Sequence, residues 1–490
     1  MSLRPAALCG VGSLLLVVAT AAAGESAAAP GLGPHTVLPP WDAGRHPASG
    51  AVTVALVAAY ALGGLAVLLG LRAVSRGARL PGRVIGVGGA LAVLACVLVP
   101  PLGSADHLSY VAYGRIAAQG GDPYAVAPIG WHGGTDPVTS AVQPPWQDTP
   151  SVYGPVTTAL QAVAAEAGNG NLRTTVWFWQ LIAGAAFLLT AYLLDRITRP
   201  DPAARTRAAL LWTVNPLLLA ELVAGAHVDV LAVAFAMAAL ALAARQPFAA
   251  GLALGGAVGS KVTFALFGLA ILWALVTRLP RRDAGRAAGL GALGALLVLV
   301  PAHLWSGSHT YGQLHRATRS ISFATPWRLV ADNLDGVLGA DTVRSLAGPL
   351  SAGFAVLLAL ALGRALRGHP TGVPDEVTGA AARAGVVLAL AWVLTVPYAL
   401  PWYDAIAWAP LALLAPGVLD GVLLARLTVL AVAYAPGRVV GLSDDVEHWT
   451  LWFRRDVAPW LTLAVLACVV TLTVRGTPFL RADARTMREL

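Results

Sequence analysis

The chain has 490 residues, of which 57% are hydrophobic and only 12% are charged, and its mean hydropathy is +0.69. Soluble domains carry roughly 25% charged residues, so this composition excludes an ordinary soluble protein and predicts an integral membrane protein. The net charge of +8 comes almost entirely from arginines between apolar runs. That pattern is typical of cytoplasmic membrane loops and argues against a nucleic-acid-binding surface.

The first apolar run covers residues 6–24 and ends in small residues. Residues 1–24 therefore form either a cleaved signal peptide or a first transmembrane helix. Both alternatives place residues 25–49 outside the cytoplasm. We treat residues 25–490 as a single polytopic membrane domain.

The remaining apolar runs are predicted to be membrane spans of alternating direction. They lie near residues 50–72, 84–102, 175–194, 208–225, 228–244, 247–277, 287–304, 346–366, 384–401, 404–417, 420–437 and 458–474. Arginine-rich turns alternate with arginine-poor turns throughout, and Arg207 and Arg426 are assigned to the cytoplasmic side. This phase predicts an all-α integral membrane fold of about 13–14 transmembrane helices, with extracytoplasmic loops at 103–155 and 305–345.

One predicted span contains internal breaks. Residues 247–277 are interrupted by Gly255-Gly256 and by Gly259-Ser260-Lys261, which contains the only lysine of the chain. Broken helices are tolerated at membrane depth where they line a cavity. We therefore predict two short helices that meet at Lys261.

The three cysteines, Cys9, Cys96 and Cys468, each lie in an apolar run. None has the spacing of a metal site, so we expect them to pack as small apolar side chains. The sequence predicts no disulfide framework.

Asp106 is the first ionisable residue of the long polar loop that follows the span at 84–102. At the membrane boundary, its carboxylate could act as a general base on a hydroxyl group. The alternative is a helix N-cap, because aspartate is a favoured cap and an apolar sequence follows.

Other ionisable groups map to the same side of the membrane. Lys261 could pair with a phosphate or could extend to the interface to solvate its charge. His227 and Asp229 could orient a substrate or could form a structural hydrogen-bonded pair. They are two residues apart with no third ligand nearby, which argues against a metal site.

The loop at 305–345 carries arginines against the usual charge trend. Arg316, Arg319 and Arg328 suit recognition of an anionic ligand such as a phosphate. Trp402 and Tyr403, between two later spans, could stack on sugar rings or could belong to an interfacial aromatic belt.

Six short motifs occur in a fixed order. They are Asp106-x-x-x-Tyr110-x-x-x-Gly114, Asp122-Pro123-Tyr124, Tyr153-Gly154-Pro155, Asn215-Pro216-Leu217, His227-Val228-Asp229 and Gly259-Ser260-Lys261. Because these motifs occur in this order, the chain resembles the actinobacterial polyprenol-phosphate-mannose-dependent α-1,6-mannosyltransferases over roughly residues 85–410. Those enzymes belong to the membrane-embedded GT-C glycosyltransferases.

The resemblance implies a GT-C-like bundle in the plasma membrane, with an extracytoplasmic active site that transfers mannose with inversion. The donor would be a polyprenyl-phosphate sugar and the acceptor a lipid-linked glycan of the lipomannan or lipoarabinomannan type. Asp106 matches the acidic position of the family and would be the catalytic base. His107 follows it, so a paired-acid motif is absent. We therefore expect no cofactor, and a divalent cation remains open.

The resemblance also implies roles for other residues. Lys261, Arg115, Arg316, Arg319 and Arg328 are the candidates that would stabilise the departing lipid phosphate. The further candidates for substrate binding are His107, Tyr110, Asp122, Tyr124, Tyr153, His227, Asp229, Trp402 and Tyr403. The apolar tail of the donor would lie between helices, among membrane lipids.

Three alternatives compete with this interpretation. A GT-C transferase could use another sugar, such as arabinose or glucose. A transporter or flippase for a polyprenyl-linked glycan would also place charges within the membrane, and a non-catalytic scaffold is a third possibility. A transporter predicts charges near the bilayer midplane and repeated halves, whereas here the charges collect on one face and no halves repeat. The sequence favours the enzyme.

Overall fold

Helices carry most of the chain in the computed structural model, which describes residues 3–314 and 319–474. The helices of the first half are α1 (Arg4–Ala23), α2 (Ser49–Ser75), α3 (Gly82–Val97), α4 (Asp106–Ala118), α5 (Pro155–Gly168), α6 (Leu172–Thr198), α7 (Pro202–Ala224), α8 (Asp229–Leu242) and α9 (Pro247–Ser260). Helix α7 contains two π-helical turns, at Ala209–Thr213 and Leu219–Ala224.

The second half continues in the same way. Its helices are α10 (Ala265–Arg278), α11 (Arg281–Ser306), α12 (Pro326–Leu338), α13 (Ala340–Ala365), α14 (Glu376–Thr395), α15 (Ala405–Leu411), α16 (Val418–Tyr434), α17 (Asp444–Trp452) and α18 (Ala458–Val474).

Length and composition identify the helices that could cross a membrane. Within residues 3–314 and 319–474, eight helical segments qualify: α1, α2, α6, α7, α11, α13, α14 and the segment Asp444–Val474. Four shorter apolar helices, α3, α8, α9 and the segment Val262–Arg278, follow the predicted order of spans. The expected all-α polytopic architecture is confirmed.

The predicted break at Lys261 is confirmed and packs against a second motif. Helix α9 ends at Ser260, and Lys261 has extended backbone angles before a short 3₁₀ turn leads into α10. The Ser260 carbonyl, left without a helical partner, accepts hydrogen bonds from the Gly154 backbone N–H (3.0 Å) and the Thr157 hydroxyl (3.2 Å). A Cβ at Gly154 would collide with the Gly259 carbonyl. Glycine is therefore required where α5 begins against the break.

Two arginines that the sequence assigns to the cytoplasmic side, Arg207 and Arg426, are buried in ion pairs. Arg207 of α7 donates to Asp420 of α16 (Nε to Oδ2, 2.9 Å), and Arg426 of α16 donates to Asp404 (Nε to Oδ1, 3.0 Å). A charge away from water is stabilised only by a close partner, so each pair joins two distant segments. The Arg426–Asp404 pair holds the turn that carries Trp402.

Candidate active site

Two adjoining cavities meet at Asp106. The larger has a volume of about 810 Å³ and the smaller about 130 Å³. Both walls include Asp106, Trp146, Ser320, Tyr398 and Leu400. The Asp106 carboxylate therefore faces two cavities. The smaller cavity has room only for one small ring or a short chain segment.

Asp106 is the first residue of α4, and Ala105 occupies the N-cap position. The structure thus contradicts the alternative that Asp106 is an N-cap. Its Oδ2 accepts a long hydrogen bond from the Tyr110 hydroxyl at 3.4 Å. The pKa of Asp106 is raised to about 6, chiefly by burial; the hydrogen bond from Tyr110 and the charge of Lys261 lower it, and the charge of Asp229 raises it. A carboxylate with this pKa can accept a proton near neutral pH.

A hydrogen-bonded chain behind Asp106 fixes the start of α4. The Asp106 backbone N–H donates to Ser104 Oγ at 3.2 Å, and Ser104 Oγ lies 3.0 Å from His227 Nε2. His227 Nδ1 contacts the backbone carbonyl of Glu221, so Nδ1 carries the proton and Nε2 accepts from the Ser104 hydroxyl. Burial lowers the pKa of His227 to about 3, which keeps the ring neutral.

The His227 ring also contacts the cavity wall. It stacks on Trp402 with ring centres 3.5 Å apart, and Trp402 lines the larger cavity. Trp402 is buried, which contradicts the alternative that it belongs to an interfacial aromatic belt. His227 and Asp229 do not bond to each other; each contacts a different neighbour, so the structural-pair alternative is also not observed.

Lys261 forms a part-buried ion pair with Asp229. Its Nζ lies 2.6 Å from Asp229 Oδ1 and 3.6 Å from the centre of the Tyr403 ring. Tyr403 lines the smaller cavity, whereas Lys261 lies behind it and lines neither cavity. The lysine is held by Asp229 and does not extend freely to an interface. The positive charge of Lys261 acts on the site by lowering the pKa of Asp106.

The larger cavity has a basic wall. Its arginines are Arg319, Arg328, Arg344, Arg438 and Arg454, against the carboxylates Asp106, Asp335 and Asp341. Arg328 pairs with Asp332 (2.6 Å), but its buried Nε has no hydrogen-bond partner among the described residues. Arg319 Nη2 lies 3.6 Å from Asp341 Oδ1 and donates a long hydrogen bond to the Asp341 backbone carbonyl at 3.5 Å. These two guanidinium groups retain capacity to bind an anion.

Other arginines of this wall have structural contacts. Arg438 donates to the backbone carbonyls of Ser26 and Ala29 and to Gln143 Oε1 (3.1 Å), which ties the cavity wall to the segment after α1. Arg454 donates from Nε to the Ala433 carbonyl at 2.7 Å and lies over the Tyr434 ring. Sequence reasoning missed both. The sequence did contain a signal for these two arginines, because both follow the predicted span at 420–437 on the extracytoplasmic side, where arginine is disfavoured.

Several predicted site residues line neither cavity. Arg115 pairs with Asp136 at 3.0 Å, and Asp122 pairs with His309 at 2.8 Å. The Tyr124 hydroxyl contacts Thr158 Oγ1 at 2.7 Å. These contacts engage the three side chains elsewhere, so the structure does not bring Arg115, Asp122 and Tyr124 to Asp106.

The remaining predicted residues lie close to the site or outside the described part of the chain. Tyr110 is buried with its ring edge-on to Tyr153, at a distance of 5.1 Å between centres, and Tyr153 lines the smaller cavity. His107 is fully buried, and both of its ring nitrogens are without a hydrogen-bond partner in residues 3–314 and 319–474. Arg316 lies outside the described residues.

The described residues do not fit a metal site near Asp106. Among residues 3–314 and 319–474, no group of three or more His, Cys, Asp or Glu side chains converges as metal ligands. Asp229, a nearby carboxylate, is already bonded to the Lys261 ammonium. We therefore derive no chemical step through a metal.

Comparison with known proteins adds an independent observation. The family described as "Alpha-(1->6)-mannopyranosyltransferase, N-terminal domain" matches residues 7–278. An alpha-(1->6)-mannopyranosyltransferase of Mycobacterium tuberculosis is 30% identical over 139 residues, which are 28% of this chain and 24% of that protein. Alpha-(1->6)-mannopyranosyltransferase A of Corynebacterium glutamicum is 24% identical over 258 residues, or 48% of this chain and 51% of that protein. The chain thus spans from a quarter to half of the length of these relatives.

Among solved structures, the apo oligosaccharyltransferase of Archaeoglobus fulgidus matches over 81% of this chain and 56% of its own. The identity is 14% and the TM-score is 0.37, which is a low overall similarity.

Proposed function

This chain belongs to the alpha-(1->6)-mannopyranosyltransferase family, and on that basis we propose that it is an inverting mannosyltransferase. It uses a polyprenyl-phosphate mannose donor and a lipid-linked glycan acceptor on the extracytoplasmic face of the plasma membrane. The observation that carries the proposal is the position of Asp106. It lies where an arginine-lined cavity meets a smaller cavity with aromatic walls.

The reaction that fits this geometry is a direct displacement. Asp106 takes the proton of an acceptor hydroxyl as its oxygen attacks the anomeric carbon of the donor. The bond between that carbon and the phosphate oxygen breaks, and its electron pair leaves with the polyprenyl phosphate. Attack opposite the leaving group inverts the anomeric carbon. The products are the extended glycan, polyprenyl phosphate and a protonated Asp106.

The arginine wall supports the assignment of the donor phosphate to the larger cavity. Negative charge grows on the phosphate as the bond breaks, and fixed guanidinium groups stabilise that charge best away from bulk water. Arg319 and Arg328 have the capacity for these contacts. The aromatic groups Tyr153, Tyr398 and Tyr403 line the smaller cavity, where one sugar ring would be bound.

Transfer of radiolabelled mannose in membranes tests the proposal. Membranes that contain the chain should move label from polyprenyl-phosphate mannose to a lipid-linked mannan, and an α-1,6-specific mannosidase should release it. Transfer from an arabinose or glucose donor instead would identify another sugar. Movement of intact donor across proteoliposomes without any transfer would contradict an enzyme and support a flippase.

Cysteine labelling tests the side of the membrane on which the site lies. In a background that lacks Cys9, Cys96 and Cys468, we expect Asp148→Cys to react with a membrane-impermeant maleimide on intact cells, because the loop at 103–155 lies outside. Arg282→Cys, at the start of α11, should react only after the cells are opened. Both positions are exposed, so access to the reagent decides the result. The reverse pattern would refute the extracytoplasmic site.

The pH dependence of transfer tests the coupling between Asp106 and Asp229. The negative charge of Asp229 raises the pKa of Asp106. Asp229→Asn removes that charge and leaves the Lys261 ammonium, so the pKa of Asp106 should fall. A base is active above its pKa, so the acidic limb of kcat/KM should move to lower pH.

A matched control is Asp136→Asn, which breaks an ion pair with Arg115 away from both cavities. That variant should leave the acidic limb unchanged. An acidic limb that stays in place or moves to higher pH in Asp229→Asn would show that Asp229 does not act on the catalytic base.

A further inference from the structure

One large side chain at the junction of the two cavities has no polar or ring partner. Trp146 lines both cavities together with Asp106, and it is 37% exposed. Among residues 3–314 and 319–474, its indole N–H makes no hydrogen bond and its ring contacts no other ring and no cation. A flat, largely apolar surface beside the catalytic base is therefore available to a ligand.

The backbone around Trp146 is held on both sides. The Trp146 N–H donates to the Gln143 carbonyl at 3.1 Å, and the Trp146 carbonyl accepts from the Thr149 N–H at 3.1 Å. Gln143 Oε1 in turn accepts from Arg438 Nε at 3.1 Å, and the Thr149 carbonyl accepts from the Tyr113 hydroxyl at 2.8 Å. Because these contacts fix the backbone, little conformational entropy is lost when a ligand covers the ring.

Other rings near the site are more fully covered by protein. Trp402 is only 4% exposed, and one of its faces stacks on His227. Tyr403 has the Lys261 ammonium over its ring, 3.6 Å from the ring centre. Within the described part of the chain, Trp146 is the most exposed aromatic residue of the two cavity walls.

We propose that Trp146 is the surface on which the reacting sugar of the acceptor glycan stacks, an inference that rests on the proposed function. One face of a pyranose ring carries mainly C–H groups, and covering an indole ring with that face removes apolar surface from water. A sugar on Trp146 lies at the same junction as Asp106, which is where the acceptor hydroxyl must lose its proton.

The distribution of charge assigns this surface to the acceptor. Arg319 and Arg328, the candidates for the donor phosphate, line the larger cavity, whereas no arginine lines the smaller one among the described residues. Trp146 belongs to both walls. The donor phosphate and the acceptor sugar can therefore occupy different parts of the site, with Asp106 between them.

Acceptor kinetics test this role. Trp146→Ala should raise the KM for a synthetic octyl α-1,6-dimannoside about 10-fold, because a buried apolar contact is lost, and it should leave the KM for polyprenyl-phosphate mannose unchanged. Trp146→Phe keeps a flat ring and should recover most of the acceptor affinity. A rise in the donor KM alone, equal rises for both substrates, or a Trp146→Phe variant no better than Trp146→Ala would overturn the proposal.

Trp131→Ala is the matched control. Trp131 belongs to the same loop, but its indole N–H donates to Gln119 Oε1 at 2.8 Å, its ring stacks on His132 and it lines neither cavity. Its replacement should leave both KM values unchanged. An equal rise of the acceptor KM in Trp131→Ala would show that the loop as a whole is responsible, and would overturn the assignment to Trp146.

Chemical modification tests the same contact without any transfer. In lipid nanodiscs, the protein is treated with 2-hydroxy-5-nitrobenzyl bromide, which modifies tryptophan, and the modified positions are mapped by mass spectrometry. The dimannoside should slow modification of Trp146 several-fold but not that of Trp41, which is 47% exposed and lines neither cavity. Inorganic phosphate should protect neither residue.

The outcomes separate this inference from the proposed function. Equal modification of Trp146 with and without the dimannoside, or protection by phosphate alone, would overturn the stacking surface even in an active enzyme. If the unaltered protein transfers no mannose but the dimannoside still protects Trp146, the proposed function fails and the glycan-binding surface stands.

Discussion

Replacing Asp106 with asparagine should lower the rate of mannosyl transfer by about 10²–10⁴-fold while the protein still folds and inserts, because general-base catalysis contributes on this order. Asparagine keeps the size of the side chain but cannot accept the hydroxyl proton. The backbone N–H of residue 106 would still donate to Ser104, so α4 should keep its start. The measurement is the initial rate at saturating donor, normalised to the amount of protein in the membrane.

Asp122→Asn is the matched control for this variant. Asp122 belongs to the same loop but contacts His309 and lines neither cavity. It should retain most of the transfer rate. Near-normal activity of Asp106→Asn would move the base to another carboxylate of the larger cavity, and Asp335 and Asp341 are the candidates there.

The loss of either Arg319 or Arg328 should weaken use of the donor. Hydrogen bonds to charged groups contribute about 1.5–3 kcal/mol, so Arg328→Met and Arg319→Met should each lower kcat/KM for the donor by about 10–100-fold. The KM for the acceptor should change little, because the acceptor carries no phosphate at its reacting end. The double variant should lose less than the sum of the single losses if both guanidinium groups contact one phosphate.

Arg45→Met is the control for these changes. Arg45 is exposed, lies on the same side of the membrane in the proposed topology and lines neither cavity. It should leave donor kinetics unchanged. Fully additive losses in the double variant would place the two arginines on different groups, and unchanged donor kinetics in both single variants would move the phosphate to Arg344 or Arg454.

The sequence by itself determined the architecture, and it singled out Asp106, the residue at which the two cavities meet. Hydropathy and the phase of the arginines are local properties, so they predicted the all-α polytopic fold, the break at Lys261 and the boundary position of Asp106. These features depend on whether each segment is surrounded by lipid or by water, and the run of apolar or charged residues in the segment itself decides that.

Only the tertiary structure decided which polar groups converge. Arg115, Asp122 and Tyr124 lie close to Asp106 in sequence, yet each is paired with a side chain other than Asp106. Most residues that line the larger cavity with Asp106 are far from it in sequence. Lys261 reaches Asp229 across 32 positions.

The arginine wall depends on still longer separations. Arg438 is bound by Ser26 and Ala29 at the other end of the chain, and Arg426 is buried because Asp404 faces it. Charges in a protein interior persist only with a partner at hydrogen-bond distance, and that partner is chosen by helix packing. A sequence shows where a charge must lie relative to the membrane, but only the packed helices show which opposite charge, and which cavity, it meets.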